Sequence, residues 1–279
     1  MDTVYLLIII FEALALVLLV VFFLFKSHKL SEVLKELQQH REQEKKQVEL
    51  QHQRDDYLAM LVHELRAPLA VIKGAADLII KEAPSLSKEQ IETLLGQIKK
   101  SSSSLLQIVN DILDVSKIES GKFSIKKVPG DINLLLKEIC DYYLSWANEK
   151  QIKINLELEE NIPQINFDSE RVKQVLNNLL SNALKFTDEY GNITVKTHLN
   201  TKVVQVYVCD TGIGIPDDMK HKLFNKFVQV GAKEQVKEKG TGLGLFIAKG
   251  IVEAHGGNIW IEDNDPQGTK FVFTIPLAN

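Results

Sequence analysis

From Leu58 onward, apolar side chains return in alternating steps of four and three, through Val62, Leu65, Leu69, Ile72, Ala76 and Ile79. That is the spacing of a helix packed along one face. The segment Ala83-Pro84-Ser85-Leu86 breaks this helix at about Glu82, and Ser87-Lys88-Glu89-Gln90 reads as a capping box opening a second one. The second helix has its own seam, Ile91, Leu94, Ile98, Ser101, Leu105, Ile108, Ile112 and Val115, and is expected to end near Gly121. Two antiparallel helices cannot bury such faces alone, so the pattern predicts a four-helix bundle made by two chains, a homodimer through residues 58–118.

His63 lies just off the first seam, in His63-Glu64-Leu65-Arg66-Ala67-Pro68-Leu69. There it is exposed enough to meet another molecule while packed neighbours hold its backbone, so its imidazole can act as a nucleophile. Pro68 cannot donate to the Glu64 carbonyl and its ring crowds that group, so the helix should bend or loosen beside the histidine, at roughly 3 kcal/mol. Glu64 is then a candidate to hold one ring nitrogen, leaving the other to attack. Taken alone, the heptapeptide fits a surface His-Glu pair at a helix kink equally well.

The 279 residues suffice for one or two domains, and neither the net charge of -4 nor the 25% charged content suggests a nucleic-acid partner. Cys140 and Cys209 both fall in apolar stretches, which predicts buried thiols rather than a disulfide or a metal site. The N-terminus differs from the rest. Val4 to Phe25 is apolar except for Glu12, and at about 1.5 Å per residue it is long enough to cross a hydrocarbon core of roughly 30 Å. Residues 1–25 are therefore expected to form a transmembrane helix, with a cleaved signal peptide disfavoured because no basic residue precedes the run and no small-residue cleavage site follows it. Lys26, Lys29 and Lys35 follow it, so the rest should lie in the cytoplasm, making a single-pass protein of the inner (cytoplasmic) membrane with almost nothing outside. Glu12 is either functional or a tolerated neutral acid. Residues 26–57 continue the four-three spacing through Leu30, Leu34, Leu37, Arg41, Glu44, Val48, Gln51 and Asp55, a seam polar in the middle, which reads as a connecting helix or weak coiled coil.

From residue 129 to 279 the pattern is mixed α/β, with strands expected over 152–158, 192–199, 203–209, 258–262 and 269–275 and helices over 131–148, 168–185, 218–227 and 243–255. Asp210-Thr211-Gly212-Ile213-Gly214-Ile215-Pro216 places a carboxylate at a strand end where glycines allow a sharp turn. That carboxylate can accept a hydrogen bond from an amino group, although a plain turn fits as well. Gly240-Thr241-Gly242-Leu243-Gly244-Leu245 opens a helix whose N–H groups can close around phosphate. It has neither the Lys-Ser/Thr of a GxxxxGK loop nor the preceding strand of a dinucleotide fingerprint, and residues 228–239 read as a mobile lid. Asn178 and Asn182 stand one turn apart on one helix face. Their amide oxygens suit a magnesium ion otherwise held by phosphates, with Lys185 near enough to meet phosphate; a polar solvent face is the alternative.

Together these residues resemble a membrane-bound two-component sensor histidine kinase with a Bergerat-type ATP-binding domain. His63–Leu69 resembles the phosphoacceptor box of residues 58–121, Asn178–Thr187 the asparagine box, and Asp210–Gly214 the first glycine box. Phe224 and Phe227 resemble the phenylalanine box, Gly240–Gly244 the second glycine box and Gly268-Thr269-Lys270-Phe271 the terminal one, all in the family's order. The implied fold is multidomain: a transmembrane helix, a dimeric antiparallel helical hairpin and a C-terminal α/β sandwich. The resemblance implies ATP and Mg2+ as cofactors. Asp210 would contact the adenine amino group, with Gly212, Gly214 and Thr269 around it; Asn182 and Asn178 would coordinate magnesium. Lys185 and the backbone of Gly240, Thr241, Gly242, Leu243 and Gly244 would meet the phosphates. His63 would take the γ-phosphoryl group with Glu64 assisting as base, and pass it to an aspartate of a separate response regulator, no receiver-like domain being left in this chain.

Two rivals remain. Hydrolytic ATPases on the same fold carry a water-activating glutamate one turn before the magnesium asparagine, where this chain has Asn178, which cannot act as a base. A membrane scaffold with a degenerate kinase domain is disfavoured by the retained His63, Asn182, Asp210 and glycines. One departure from the family is Ala67, where a Thr or Asn often orients water for dephosphorylating the regulator; weak phosphatase activity is expected. Another is the lack of room for a sensor, so the stimulus is expected within the membrane or from a membrane sensor partner.

Overall fold

The structure, a computed structural model, describes residues 2–228 and 241–277, with the backbone alone for residues 2–15, 17, 30–33, 36, 50, 52–54, 56 and 57. Gly240 and nearly all of the expected lid therefore lie outside the described residues, as does the side chain of Glu12. The chain divides into two units, Met1–Met60 and Leu61–Asn279.

The first unit is a continuous stretch of helix α1 (Asp2–Glu82). Its described apolar side chains are exposed, from Leu16 and Leu18 to Phe25 and again at Leu34, Leu37 and Val48. Most of the expected transmembrane run falls among residues described by backbone only, and among the described residues no helix is long and apolar enough to cross a membrane.

In the second unit, α1 continues without interruption through Pro68 to Glu82, so the expected loosening does not break the helix. Helix α2 (Lys88–Glu119) opens with the capping box: the Gln90 N–H donates to Ser87 Oγ at 3.3 Å and the Ser87 N–H to Gln90 Oε1 at 2.9 Å, a feature contributing about 1 kcal/mol. Leu61, Ala75, Ile108 and Val115 are buried, whereas Val62, Leu69, Leu95, Leu106 and Leu113 remain exposed within one chain.

The α/β part begins with a two-stranded antiparallel ribbon, β1 (Val128–Gly130) against β3 (Ile165–Phe167), which the sequence reading missed. Three residues are too few to show alternation, and Pro129 and Gly130 read as breakers. Helix α3 (Ile132–Glu149) is capped by Asp131, whose Oδ1 accepts the N–H groups of Asn133 and Leu134 at 2.9 and 3.2 Å. Helix α4 (Ser169–Phe186) is capped by Asp168 through the Arg171 N–H at 3.1 Å. The main sheet has the order β2 (Lys153–Glu157), β4 (Asn192–Leu199), β5 (Val203–Asp210), β7 (Thr269–Pro276), β6 (Ile259–Asp263), parallel between β2 and β4 and otherwise antiparallel. Ile193 and Val195, Val204, Val206 and Val208, and Phe271, Phe273 and Ile275 alternate inward from the three central strands. They form one core with Leu136 and Ile139 of α3, Val175, Leu176 and Leu179 of α4, and Ile247 and Ile251 of α6 (Gly244–Ala254), each full burial contributing about 1.5–3 kcal/mol.

The helix expected over 218–227 is corrected to a single turn, α5 (Asp217–Lys220). Phe227 has φ +68 and gives its N–H to the Gly242 carbonyl at 3.0 Å. A helix through 227 would deny both that left-handed backbone and that bond.

Candidate active site

Asp210 ends β5 almost fully buried, and each of its backbone and side-chain acceptors is addressed differently. Oδ1 accepts the N–H of Gly212 at 2.9 Å and that of Thr269 at 3.2 Å; among the described residues no donor reaches Oδ2. Burial raises the carboxyl above the usual carboxylate range, against the pull of the two N–H bonds. The turn is possible because Gly212 passes so near the Phe186 carbonyl that a Cβ would lie 2.3 Å from its oxygen. Gly268, at φ +120, lies so near the Asp210 carbonyl that a Cβ would fall 1.9 Å from it. The side chain of Asn264 donates to that same carbonyl at 2.8 Å. The half-buried Gly214, at φ +75, continues the turn.

The asparagine pair sits on α4. Asn178 Nδ2 donates to the Gly244 carbonyl at 3.1 Å, where α6 begins, and a Cβ on Gly244 would fall 2.8 Å from Asn178 Oδ1. The first asparagine thus ties α4 to the start of α6, and among the described residues its Oδ1 makes no hydrogen bond. Asn182 is half-buried, and among the described residues its side chain makes no hydrogen bond. Lys185 Nζ stands 5.3 Å from the centre of the Phe186 ring. In the second glycine box, Thr241 Oγ1 accepts the Leu243 N–H at 3.3 Å, Leu243 is buried, and Gly242, at φ +65, carries the carbonyl bonded by Phe227. A buried carboxylate with one clear oxygen fits an exocyclic amino group. The amide oxygens and the α6 N-terminus fit a magnesium–phosphate pair.

His63 is exposed on α1 and Glu64 half-buried beside it. Among the described residues no hydrogen bond or ion pair joins them, because successive helical side chains diverge by about 100°. None links either to the Asp210 site. The contact of the second unit that the sequence did not suggest joins α2 to α4: Arg171 Nη1 reaches Asp114 Oδ2 at 2.6 Å. The Asn264 tie was missed too, since its acceptor is a backbone carbonyl and Asp263-Asn264-Asp265-Pro266 reads only as a turn.

Comparison with known proteins agrees with this arrangement. Residues 53–121 match the His Kinase A (phospho-acceptor) domain, and residues 167–279 the histidine kinase-, DNA gyrase B- and HSP90-like ATPase domain. The sensor histidine kinase RcsC of Salmonella typhimurium is 38% identical over 223 residues, covering 79% of this chain and 23% of the relative. Among solved structures, full-length ShkA in complex with AMPPNP is 32% identical, with a TM-score of 0.61 over 80% of this chain and 46% of that one. The catalytic domain of histidine kinase ThkA is 32% identical with a TM-score of 0.50, covering 56% of this chain and 100% of that one. ThkA in complex with response regulator TrrA is 26% identical with a TM-score of 0.55, over 80% and 61%. A helical hairpin with a phosphoacceptor box, followed by an ATP-binding type of α/β domain, defines a class of signalling kinases. The chain belongs to the two-component sensor histidine kinases. It spans from 18% to 59% of the length of the curated relatives it matches.

Proposed function

We propose that this chain is an ATP-dependent histidine autokinase that phosphorylates His63 and hands the phosphoryl group to an aspartate of a separate response regulator. The observation that carries this reading is Asp210: a buried carboxylate whose Oδ1 is fixed by two backbone N–H groups, while no donor among the described residues reaches Oδ2, the oxygen that would accept an adenine amino group. The His63 ring nitrogen attacks the γ-phosphorus, the bond to the ADP oxygen breaks, and the ring proton passes to Glu64 or solvent. The α6 N-terminus, with Thr241, Gly242, Leu243 and Gly244, orients the phosphates, and Lys185 lies at the end of the helix that carries the asparagines. Asn182 and Asn178 would hold magnesium, which supplies positive charge against the β- and γ-phosphates. The hydrolytic rival is opposed by the amide at position 178, whose nitrogen is committed to Gly244. The ThkA complex with a response regulator supports the same kind of partner here.

The exposed Val62, Leu69, Leu106 and Leu113 favour a homodimer through residues 58–118, and the apolar run from Val4 to Phe25 favours a single membrane pass with the catalytic part cytoplasmic. The stimulus then arrives through the membrane segment or a membrane partner. Incubating the full chain with γ-labelled ATP should give acid-labile, base-stable label in wild type and none in His63→Gln or Asn182→Ala. Label persisting in His63→Gln would overturn the proposal.

A further inference from the structure

The segment between β6 and β7 is fastened to the Asp210 turn at two consecutive residues. Lys220 Nζ bonds Asp263 Oδ2 at 2.6 Å and Asp217 Oδ1 at 2.6 Å, joining the end of β6 to the turn that follows Asp210. The next side chain, Asn264, donates to the Asp210 carbonyl at 2.8 Å, and its own N–H closes the loop on the Gly268 carbonyl at 3.2 Å. That loop delivers Gly268 against Asp210, and the following residue, Thr269, delivers the N–H that meets Asp210 Oδ1 at 3.2 Å.

We infer that Asn264 is a positioning residue for nucleotide-base selection, holding the loop in register so that the Thr269 N–H fixes Asp210 Oδ1 and leaves Oδ2 aimed at an amino group. This rests on the reading of Asp210 as the adenine contact. Asn264 does not touch the base; it acts through the carbonyl of Asp210 and the N–H of Thr269. The Thr269 bond is the longer of the two on Oδ1, so it is the one that fails when the loop shifts. With one N–H lost, the carboxylate turns about its last torsion and no longer presents a fixed acceptor. A purine bearing a 6-amino group then loses its advantage over one bearing a 6-oxo group, whose oxygen a fixed carboxylate repels.

Equilibrium binding of ATP and of inosine triphosphate to the full chain tests this, with wild type, Asn264→Ala and Asn264→Leu compared. Wild type should prefer ATP, and both variants should lose about five- to tenfold of that preference, the scale of one hydrogen bond, while phosphate-driven binding of inosine triphosphate stays near the wild-type level. A wild-type preference retained in both variants would overturn the role of Asn264 and leave Asp210 untouched. Absence of any preference in wild type would remove the adenine reading of Asp210 and this inference with it. Equal weakening of both nucleotides, or loss of folding in both variants, would make Asn264 a purely structural residue and overturn the inference as well.

Discussion

Arg171 of α4 and Asp114 of α2 form an ion pair of 2.6 Å between the α/β part and the hairpin, with Gln174 donating to the same carboxylate oxygen at 3.0 Å and the Phe123 ring 4.9 Å from the guanidinium. Breaking a fully buried pair by removing one partner costs roughly 3–5 kcal/mol. The Arg171 side chain keeps 28% of its exposure against 7% for Asp114, so Arg171→Ala should cost less, about 2–3 kcal/mol, in urea unfolding of the full chain. The double variant Arg171→Leu/Asp114→Leu should recover much of that loss, because no charge is then left buried. A double variant as unstable as the sum of the singles would show that the two do not act as a pair.

The same junction has an apolar lock. Gly250 of α6 faces Ile118 of α2 so closely that an added Cβ would lie 2.5 Å from Ile118 Cδ1. Gly250→Ala should therefore destabilise the fold by about 1–3 kcal/mol, the range for overpacking, despite the better helix propensity of alanine. Shortening the neighbour, as Ile118→Val in the Gly250→Ala background, should restore part of it. Thermal melts that rank the double variant below the single would contradict the contact.

What was legible in the sequence is what repeats. Strand β4 coincides with the expected 192–199, and β5, β7, α3, α4 and α6 fall within a residue of their expected limits, because alternation and helical period leave many consistent residues in each. Residues 221–227 failed because their apolar spacing comes from burying Leu223 and Phe224 in a turn, which helical period imitates. Asp210 and the glycines could be read because a tight turn demands those residue types. The partners of Asn264 and Arg171 lie 54 and 57 residues away, and the first is a backbone atom that carries no side-chain signal. Glu64 is the opposite case: adjacency in sequence suggested a bond to His63, and among the described residues none joins them, because neighbouring side chains of a helix do not face each other.

Ala67 carries no polar side-chain atom, so it cannot hold a water for hydrolysis of a regulator's aspartyl phosphate. Under the proposed function the full chain should dephosphorylate a response regulator slowly, and Ala67→Thr should speed that step about tenfold, below the roughly 100-fold or greater effect of a fully positioned proton-transfer group. Autophosphorylation of His63 should stay near the wild-type rate. Decay of labelled regulator, followed with and without each kinase, decides it: rapid decay with wild type would remove the assigned consequence of Ala67.

Gly268 has no room for any side chain, since its φ is +120 and a Cβ would meet the Asp210 oxygen at 1.9 Å. Gly268→Ala must move either the loop or β5, and both hold the carboxylate. Nucleotide binding by the full chain should fall at least about tenfold, the loss of one good hydrogen bond or more. Unchanged ATP affinity would show that the base is held elsewhere.

Two buried groups should give the pH dependence of stability opposite slopes. His255 is sunk in the core, with Nδ1 bonding the Ile251 carbonyl at 2.8 Å and Nε2 accepting the Asp168 N–H at 3.0 Å, and burial lowers its pKa below the ordinary 6.5. A depressed histidine keeps the folded state neutral while the unfolded chain takes up a proton. Its stabilisation is therefore complete above about 6.5 and is lost as pH falls from there toward the folded value. Asp111 of α2 behaves inversely: burial, opposed by the Gln107 amide at 2.8 Å and helped by the nearby Asp114 charge, pushes its pKa from 3.8 to about 6. The folded state holds that proton more tightly, so its contribution is lost as pH rises from 3.8 through about 6 and remains a constant penalty above. His255→Gln, which can accept from Asp168 and donate to Ile251, should flatten the acid loss below 6.5. Asp111→Asn should leave the melting temperature unchanged below pH 3.8 and raise it above pH 6. Melting curves from pH 3 to 8, taken at about one-unit steps on each variant, separate the two slopes; a gain for Asp111→Asn of the same size at both ends would mean that its packing, and not its charge, sets the effect.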